Sequence, residues 1–167
     1  FNYAALKTSG IDFDLAYRRQ FGDATVNLRA VVSWLDEREQ FIYITAPDQS
    51  LRLNGVLGDP EWRGRFTAGA NYGAIDFTYD LNWVGEQAVA AWEVQHTHQG
   101  RGPTNDDAFP FEMYPDWFTH DIQIGVRANE NFRLYFGVDN LLDTLPPFGV
   151  TGTGAGGGIY PVQGRFF

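Results

Sequence analysis

The chain has 167 residues, with 12 basic and 21 acidic side chains giving a formal charge of −9. So acidic a chain offers no basic stripe to neutralise phosphates, which excludes a nucleic-acid partner. It contains no cysteine, hence no disulfide framework, thiolate nucleophile or cysteine-held metal. No apolar run approaches the ~20 residues of a membrane helix.

The first predicted strand covers residues 8–19, with Ile11, Phe13, Leu15 and Tyr17 on one face and Asp12, Asp14 and Arg18 on the other. A short turn at Gln20-Phe21-Gly22-Asp23 leads to a second strand over 24–35. There Val26, Leu28, Ala30, Val32 and Trp34 alternate with Thr25, Asn27, Arg29 and Ser33. A long connection follows over 36–60, in which Phe41-Ile42-Tyr43-Ile44 can prolong the strand pair before Pro47-Asp48. The hairpin at 61–84 carries the strictest pattern. Trp62, Phe66, Ala68, Ala70 and Tyr72 share a parity, and after Gly73-Ala74 so do Ile75, Phe77, Tyr79, Leu81 and Trp83. Asp76, Thr78, Asp80 and Asn82 lie opposite. The longest loop, 85–116, precedes a fifth strand over 117–128, with Phe118, Ile122, Ile124 and Val126 apolar and Thr119, Asp121, Gln123 and Arg127 opposite. A turn at Asn129-Glu130-Asn131 leads to a sixth strand, from Phe132 to Asp139. A Gly-rich loop over 141–159 and a last strand from about Tyr160 close the chain.

A side-chain period of two marks strands with two unlike faces. These strands are about ten residues long, the length that crosses a membrane when tilted, against ~5–6 in soluble sheets. Connections one, three and five are tight and the others long, as in bacterial barrels with short periplasmic turns and long extracellular loops. With the long loops outside, Trp34, Trp62, Trp83 and Trp117 fall at outer strand ends, and Tyr17, Tyr72 and Phe132 at periplasmic ends. Ten steps of ~3.3 Å from Trp62 to Tyr72, tilted by ~40°, span about 25 Å, the height of a barrel's apolar band. These features favour a transmembrane antiparallel up-and-down β-barrel in the bacterial outer membrane over a soluble sandwich. About seven strands are visible where single-chain barrels use even numbers. The chain also begins at Phe1 without an initiator Met, so both ends are expected to be cut.

The stretch Leu134-Tyr135-Phe136-Gly137-Val138-Asp139-Asn140-Leu141-Leu142-Asp143 precedes Pro146-Pro147, the Gly-rich loop, Tyr160 and Gly164-Arg165-Phe166-Phe167. This succession resembles the ending of TonB-dependent outer-membrane receptors, in which Gly137, Val138, Asp139, Asn140, Leu141, Asp143, Gly164 and Arg165 would be structural motif positions. The resemblance implies that residues 1–167 are the C-terminal portion of the barrel domain, about the last seven strands of a ~22-stranded barrel. It implies a separate N-terminal plug and TonB-contacting segment, both absent from this chain. As partners it implies membrane lipids and lipopolysaccharide, the plug and remaining barrel strands, the TonB complex and a small-molecule ligand. The expected function is active import of a scarce ligand such as an iron–siderophore complex, haem, cobalamin or a glycan, with no cofactor and no enzymatic step. The alternatives are a small passive porin-like or adhesion barrel and a soluble all-β ligand-binding module.

Within the 85–116 loop, His96 and His98 at i, i+2 point the same way on extended chain and are candidates for a ferric chelate. No third ligand stands at diagnostic spacing, so no metal site is assigned, and a solvated polar loop is the simpler reading. Trp92, Phe109 and Phe111 are candidates for stacking on a planar ligand or for packing the loop. The inward charges, including Asp12, Asp14, Arg18, Arg29, Arg63, Arg65, Asp76, Asp80, Asp121, Arg127 and Arg133, make a mixed lumen wall. Arg63 and Arg65 lie near the outer mouth, where an anionic ligand would pass. Asp139, Asn140 and Asp143 read as loop-organising residues, and Gly137 and Gly164 as relief at close strand contacts. No catalytic residue is assigned: no G-x-S-x-G element exists, and no nucleophile stands beside one of the three histidines at a supporting spacing.

Overall fold

The computed structural model describes residues 5–41, 50–89, 113–147, 160 and 164–167. Its strands are β1 (Ala5–Phe21), β2 (Ala24–Phe41), β3 (Ser50–Arg52), β4 (Trp62–Tyr72), β5 (Ile75–Val84), β6 (Gln87–Ala88), β7 (Met113–Tyr114), β8 (Trp117–Arg127) and β9 (Arg133–Val138). The long strands form one antiparallel meander in the order β1-β2-β4-β5-β8-β9, with β3 hydrogen-bonded to the far end of β2. β6 and β7 make a separate two-stranded pair within the 85–116 connection. Among the described residues the sheet does not close, so it is an open wall with β1 and β9 at its edges.

The tight turns follow from glycine. Gly22 and Gly73 adopt φ of 60° and 57°, a region open to glycine without the Cβ clash that penalises other residues, and each lets two strands meet across a two-residue turn.

Register converts the alternation into rows. On the apolar face the uppermost row is Ile11, Trp34 and Trp62, followed by Phe13, Val32, Gly64, Trp83 and Phe118. Below them come Leu15, Ala30, Phe66, Leu81 and His120, then Tyr17, Leu28, Ala68, Tyr79, Ile122 and Val138. The row of Arg19, Val26, Ala70, Phe77, Ile124 and Phe136 leads to the lowest, Phe21, Ala24, Tyr72, Ile75, Val126 and Leu134. At the upper edge Trp34 stacks on Trp62 at 5.9 Å, Trp62 on Trp83 at 6.5 Å and Trp83 on Phe118 at 6.4 Å. Exposed Leu15, Tyr17, Leu28 and Leu134 show that this face has no protein partner among the described residues. An apolar band bounded by aromatics and bare of protein is what lipid covers.

Two aromatic placements differ from the expectation. Trp117 is not in the outer girdle: it has the parity of Thr119, faces inward and is 5% exposed, while Phe118 takes the girdle position. Tyr17 is not at the periplasmic rim, because β1 runs on to Phe21 and leaves Tyr17 level with Leu28 and Tyr79. At the opposite end β1 and β2 run past the predicted limits of 8 and 35, and β2 reaches Phe41, where the sequence allows the pair to be prolonged; Ile42, Tyr43 and Ile44 lie outside the described residues. The two strands project past the tryptophan row through an irregularity between Ser9 and Gly10 that leaves Asp36 unpaired in the register. Lys7 donates to Glu37 at 2.5 Å in this projection, so its outward side is polar, as befits chain above the bilayer.

Candidate functional site

The inner face reads from the long-connection end downward as a ladder of polar rows. The mouth row is Asp12, Ser33, Arg63, Val84 and Trp117; the next is Asp14, Val31, Arg65, Asn82 and Thr119. Ala16, Arg29, Thr67, Asp80 and Asp121 form the third, and Asn71, Asp76, Gly125 and Tyr135 lie near the short-turn end.

Most of the charge in this wall is neutralised across neighbouring strands. Arg29 grips Asp14 with two hydrogen bonds, Nη2 at 2.6 Å and Nε at 3.0 Å. Arg65 Nε donates to Asp80 at 3.1 Å, and the Thr67 hydroxyl donates to the same carboxylate oxygen at 2.5 Å. Asp76 accepts from Asn71 and from Arg133, which reaches over Gly125, where no side chain stands in the way. Asp80 and Asp121 face each other across the ladder, an arrangement unfavourable for like charges. Each carboxylate is held by its own donors, since Asp121 accepts from Asn82 Nδ2 at 3.1 Å and from the Asn140 amide at 2.8 Å.

Arg63 and Arg65 therefore differ. Arg65 is engaged by Asp80, whereas Arg63 is exposed on the mouth row and makes no ion pair with another described residue. Trp92, His96, His98, Phe109 and Phe111 lie outside the described residues.

The roots of the long connections converge beside this mouth. Gln87, with no exposed surface, accepts the Gly58 amide at 2.8 Å and donates to the Tyr160 hydroxyl at 2.6 Å. Tyr160, 1% exposed, meets Trp117 edge-on at 5.4 Å, and Trp117 Nε1 donates to the Leu145 carbonyl at 3.2 Å. Burial raises the Tyr160 pKa above the ordinary phenol value. A lone glutamine in a loop gives no sequence signal for this role. His120 faces lipid one row below Phe118 and pairs through Nδ1 with the Tyr79 hydroxyl at 2.7 Å, satisfying both groups away from water.

The C-terminal motif is a knot of backbone caps. Asn140 and Asp143 adopt φ of 50° and 56°, and the Asn140 side chain bonds Thr144 through both its carbonyl, at 2.9 Å, and its amide, at 3.0 Å. Asp143 accepts the Arg165 amide at 2.9 Å, and Phe166 bridges Asp139 through a pair of backbone bonds. A Cβ on Gly164 would sit 3.0 Å from Asp143 Oδ1, so glycine there leaves room for the cap. Gly137 has no such crowding: its Cβ would lie at an ordinary 3.5 Å from the Ile122 carbonyl. Val138 is buried, and Leu141 donates its amide to the His120 carbonyl at 2.7 Å, tying the motif back to β8.

A two-faced antiparallel meander with lipid-facing aromatics and a charged interior defines an outer-membrane barrel wall. The family model of TonB dependent receptor-like β-barrels matches residues 1–141, and the chain belongs to that family. Its members are transporters of the bacterial outer membrane, a class that works with a plug, a TonB complex and a ligand. No curated protein and no solved structure matches the chain.

Proposed function

We propose that residues 1–167 form the C-terminal barrel wall of a TonB-dependent importer of a scarce ligand, in the class of iron–siderophore complexes, haem, cobalamin or glycans. In this reading the plug and TonB-contacting segment lie N-terminal to the wall in the same protein. The outer loops capture the ligand, and His96, His98, Trp92, Phe109 and Phe111 are their candidate contacts. The mouth row receives it, and the plug gates passage. The observation that carries the reading is the inner wall itself: Arg29 with Asp14 and Arg65 with Asp80 neutralise each other in the second and third rows, while the mouth keeps an exposed Arg63 with no ion pair to another described residue. An anion leaving the loops meets that guanidinium first.

The test is uptake by a deletion strain, with each ligand class supplied in turn as the limiting nutrient. The expected result is loss of growth on one ligand only, restored by the intact gene, and abolished again by collapsing the proton-motive force. Uptake that persists without that force would point to a passive pore instead.

A further inference from the structure

We infer that the mouth row contains a site for an α-amino acid zwitterion, held between Asp12 and Arg63 across Ser33, a proposal that rests on the receptor reading and narrows its ligand. Asp12, Ser33 and Arg63 are consecutive partners on β1, β2 and β4, so the carboxylate and the guanidinium flank a hydroxyl on the lumen face. A cavity of about 330 Å³ opens there, bordered also by Thr8, Arg38 and Asp59. Arg38 and Asp59 neutralise each other, with Nε 3.1 Å from Oδ2, and so contribute no net charge. Asp12 and Arg63 remain, and neither makes an ion pair with another described residue.

The pairing of charges selects the ligand. Two strand intervals, roughly 9.6 Å, separate the Asp12 and Arg63 backbone columns, so the two side chains flank one cavity without being neighbours on the ladder. A molecule that carries a cation and an anion close together can meet both with charge-assisted hydrogen bonds. An α-amino acid fits: its nitrogen lies about 2.5 Å from the carboxyl carbon, and the oxygens reach roughly 1 Å further. A simple anion would engage Arg63 and leave Asp12 facing its charge; a simple cation would do the reverse. The ammonium therefore belongs on the β1 side, the carboxylate on the β4 side, with the Ser33 hydroxyl between them as donor or acceptor. The same chemistry serves a free amino acid or an exposed amino-acid group on a larger carrier.

The experiment measures equilibrium binding to the detergent-solubilised full receptor with three probes: glycine, N-acetylglycine and glycinamide. Both flanking groups are exposed, so millimolar dissociation constants are expected. Glycine should bind at least tenfold more tightly than either capped probe. Asp12→Asn should lower glycine to the level of N-acetylglycine, and Arg63→Gln to that of glycinamide, with heat-modifiability on gels confirming a folded barrel. Should Arg63→Gln misfold, Arg63→Lys, which keeps the charge, should retain the preference for glycine. N-acetylglycine binding as well as glycine, or indifference of glycine to both substitutions, overturns the proposal. Energised uptake by the intact strain reads the receptor function separately. Uptake without zwitterion selectivity sinks only this site, and selectivity without energised uptake sinks only the importer reading.

Discussion

The orientation of the wall predicts how an arginine should be tolerated as it moves along β2. Ten steps of ~3.3 Å separate the Trp34 and Ala24 rows, or about 25 Å along the membrane normal at a ~40° tilt. Leu28 is four residues above Ala24, at about 10 Å from the lower edge and 15 Å from the upper, hence within ~3 Å of the midplane. Val26 is only ~5 Å from the lower edge, level with Arg19 on β1. Arg19 already shows how that depth is managed, with its guanidinium 5.1 Å from the Phe21 ring centroid and directed toward the rim. Asn27, between them in sequence, faces the lumen. Leu28→Arg should therefore cost about 2–4 kcal/mol, a factor of roughly 30 to 1,000 in the folding equilibrium, and Val26→Arg about 0–1 kcal/mol. Asn27→Arg, which faces Arg18 across the β1–β2 pair, should cost no more than about 1 kcal/mol. Reversible urea unfolding of the receptor in lipid vesicles, followed by tryptophan emission, measures all three. Equal costs at Leu28 and Asn27 would refute the assignment of faces, and a Val26 cost matching that of Leu28 would refute the depth.

Two further perturbations probe the loop roots and the C-terminal knot. Gln87→Leu keeps the side chain's bulk but leaves the Gly58 amide and the Tyr160 hydroxyl without their partner. At roughly 1–3 kcal/mol for each stranded group, hydrogen exchange at the Gly58 amide should accelerate at least tenfold, and unchanged exchange would contradict the bridge. Asp143→Ala should remove the cap on the Arg165 amide, at about 1–2 kcal/mol, and Gly164→Ala, whose Cβ would press on Asp143 Oδ1 from 3.0 Å, should weaken the same cap at a smaller cost. The double substitution should then cost little more than Asp143→Ala alone, and full additivity in denaturant melts would argue that they act independently.

The faces of the strands were legible because alternation reports the contrast between lipid and a wet lumen. That contrast ends at the bilayer surface, although the strands do not. Beyond Ile11 and Trp34 the outward positions become Ser9, Lys7, Glu37 and Glu39 by alternation. Both faces then meet water, so the predicted strands stopped at 8 and 35 while β1 starts at Ala5 and β2 reaches Phe41. Trp117 was misplaced for a related reason: its residue type and depth suited a girdle, but parity gave that position to Phe118. The Asn140 and Asp143 turns were readable because these residue types cap backbone locally and tolerate positive φ. Gln87 was not, because what makes it a bridge is the meeting of three chain segments distant in sequence.

The difference between Arg63 and Arg65 was hidden for a deeper reason. Parity puts both in the lumen, and a one-residue slip of β4 would bring their apolar neighbours inside, so that much is strongly specified. A two-residue slip leaves every side chain on its proper face while exchanging every cross-strand partner. Such a slip would carry Arg63 to the position from which Arg65 reaches Asp80 and Thr67, and Arg63 rather than Arg65 would make that ion pair. What resists it is local pairing: the Gly73-Ala74 turn that fixes Tyr72 against Ile75, the Trp34–Trp62 stack, and the fit of Trp83 over Gly64, where a Cβ would lie only 3.2 Å from the indole. The lipid-facing aromatics thus do more than anchor the wall. By holding β4 in register they determine which of Arg63 and Arg65 reaches Asp80.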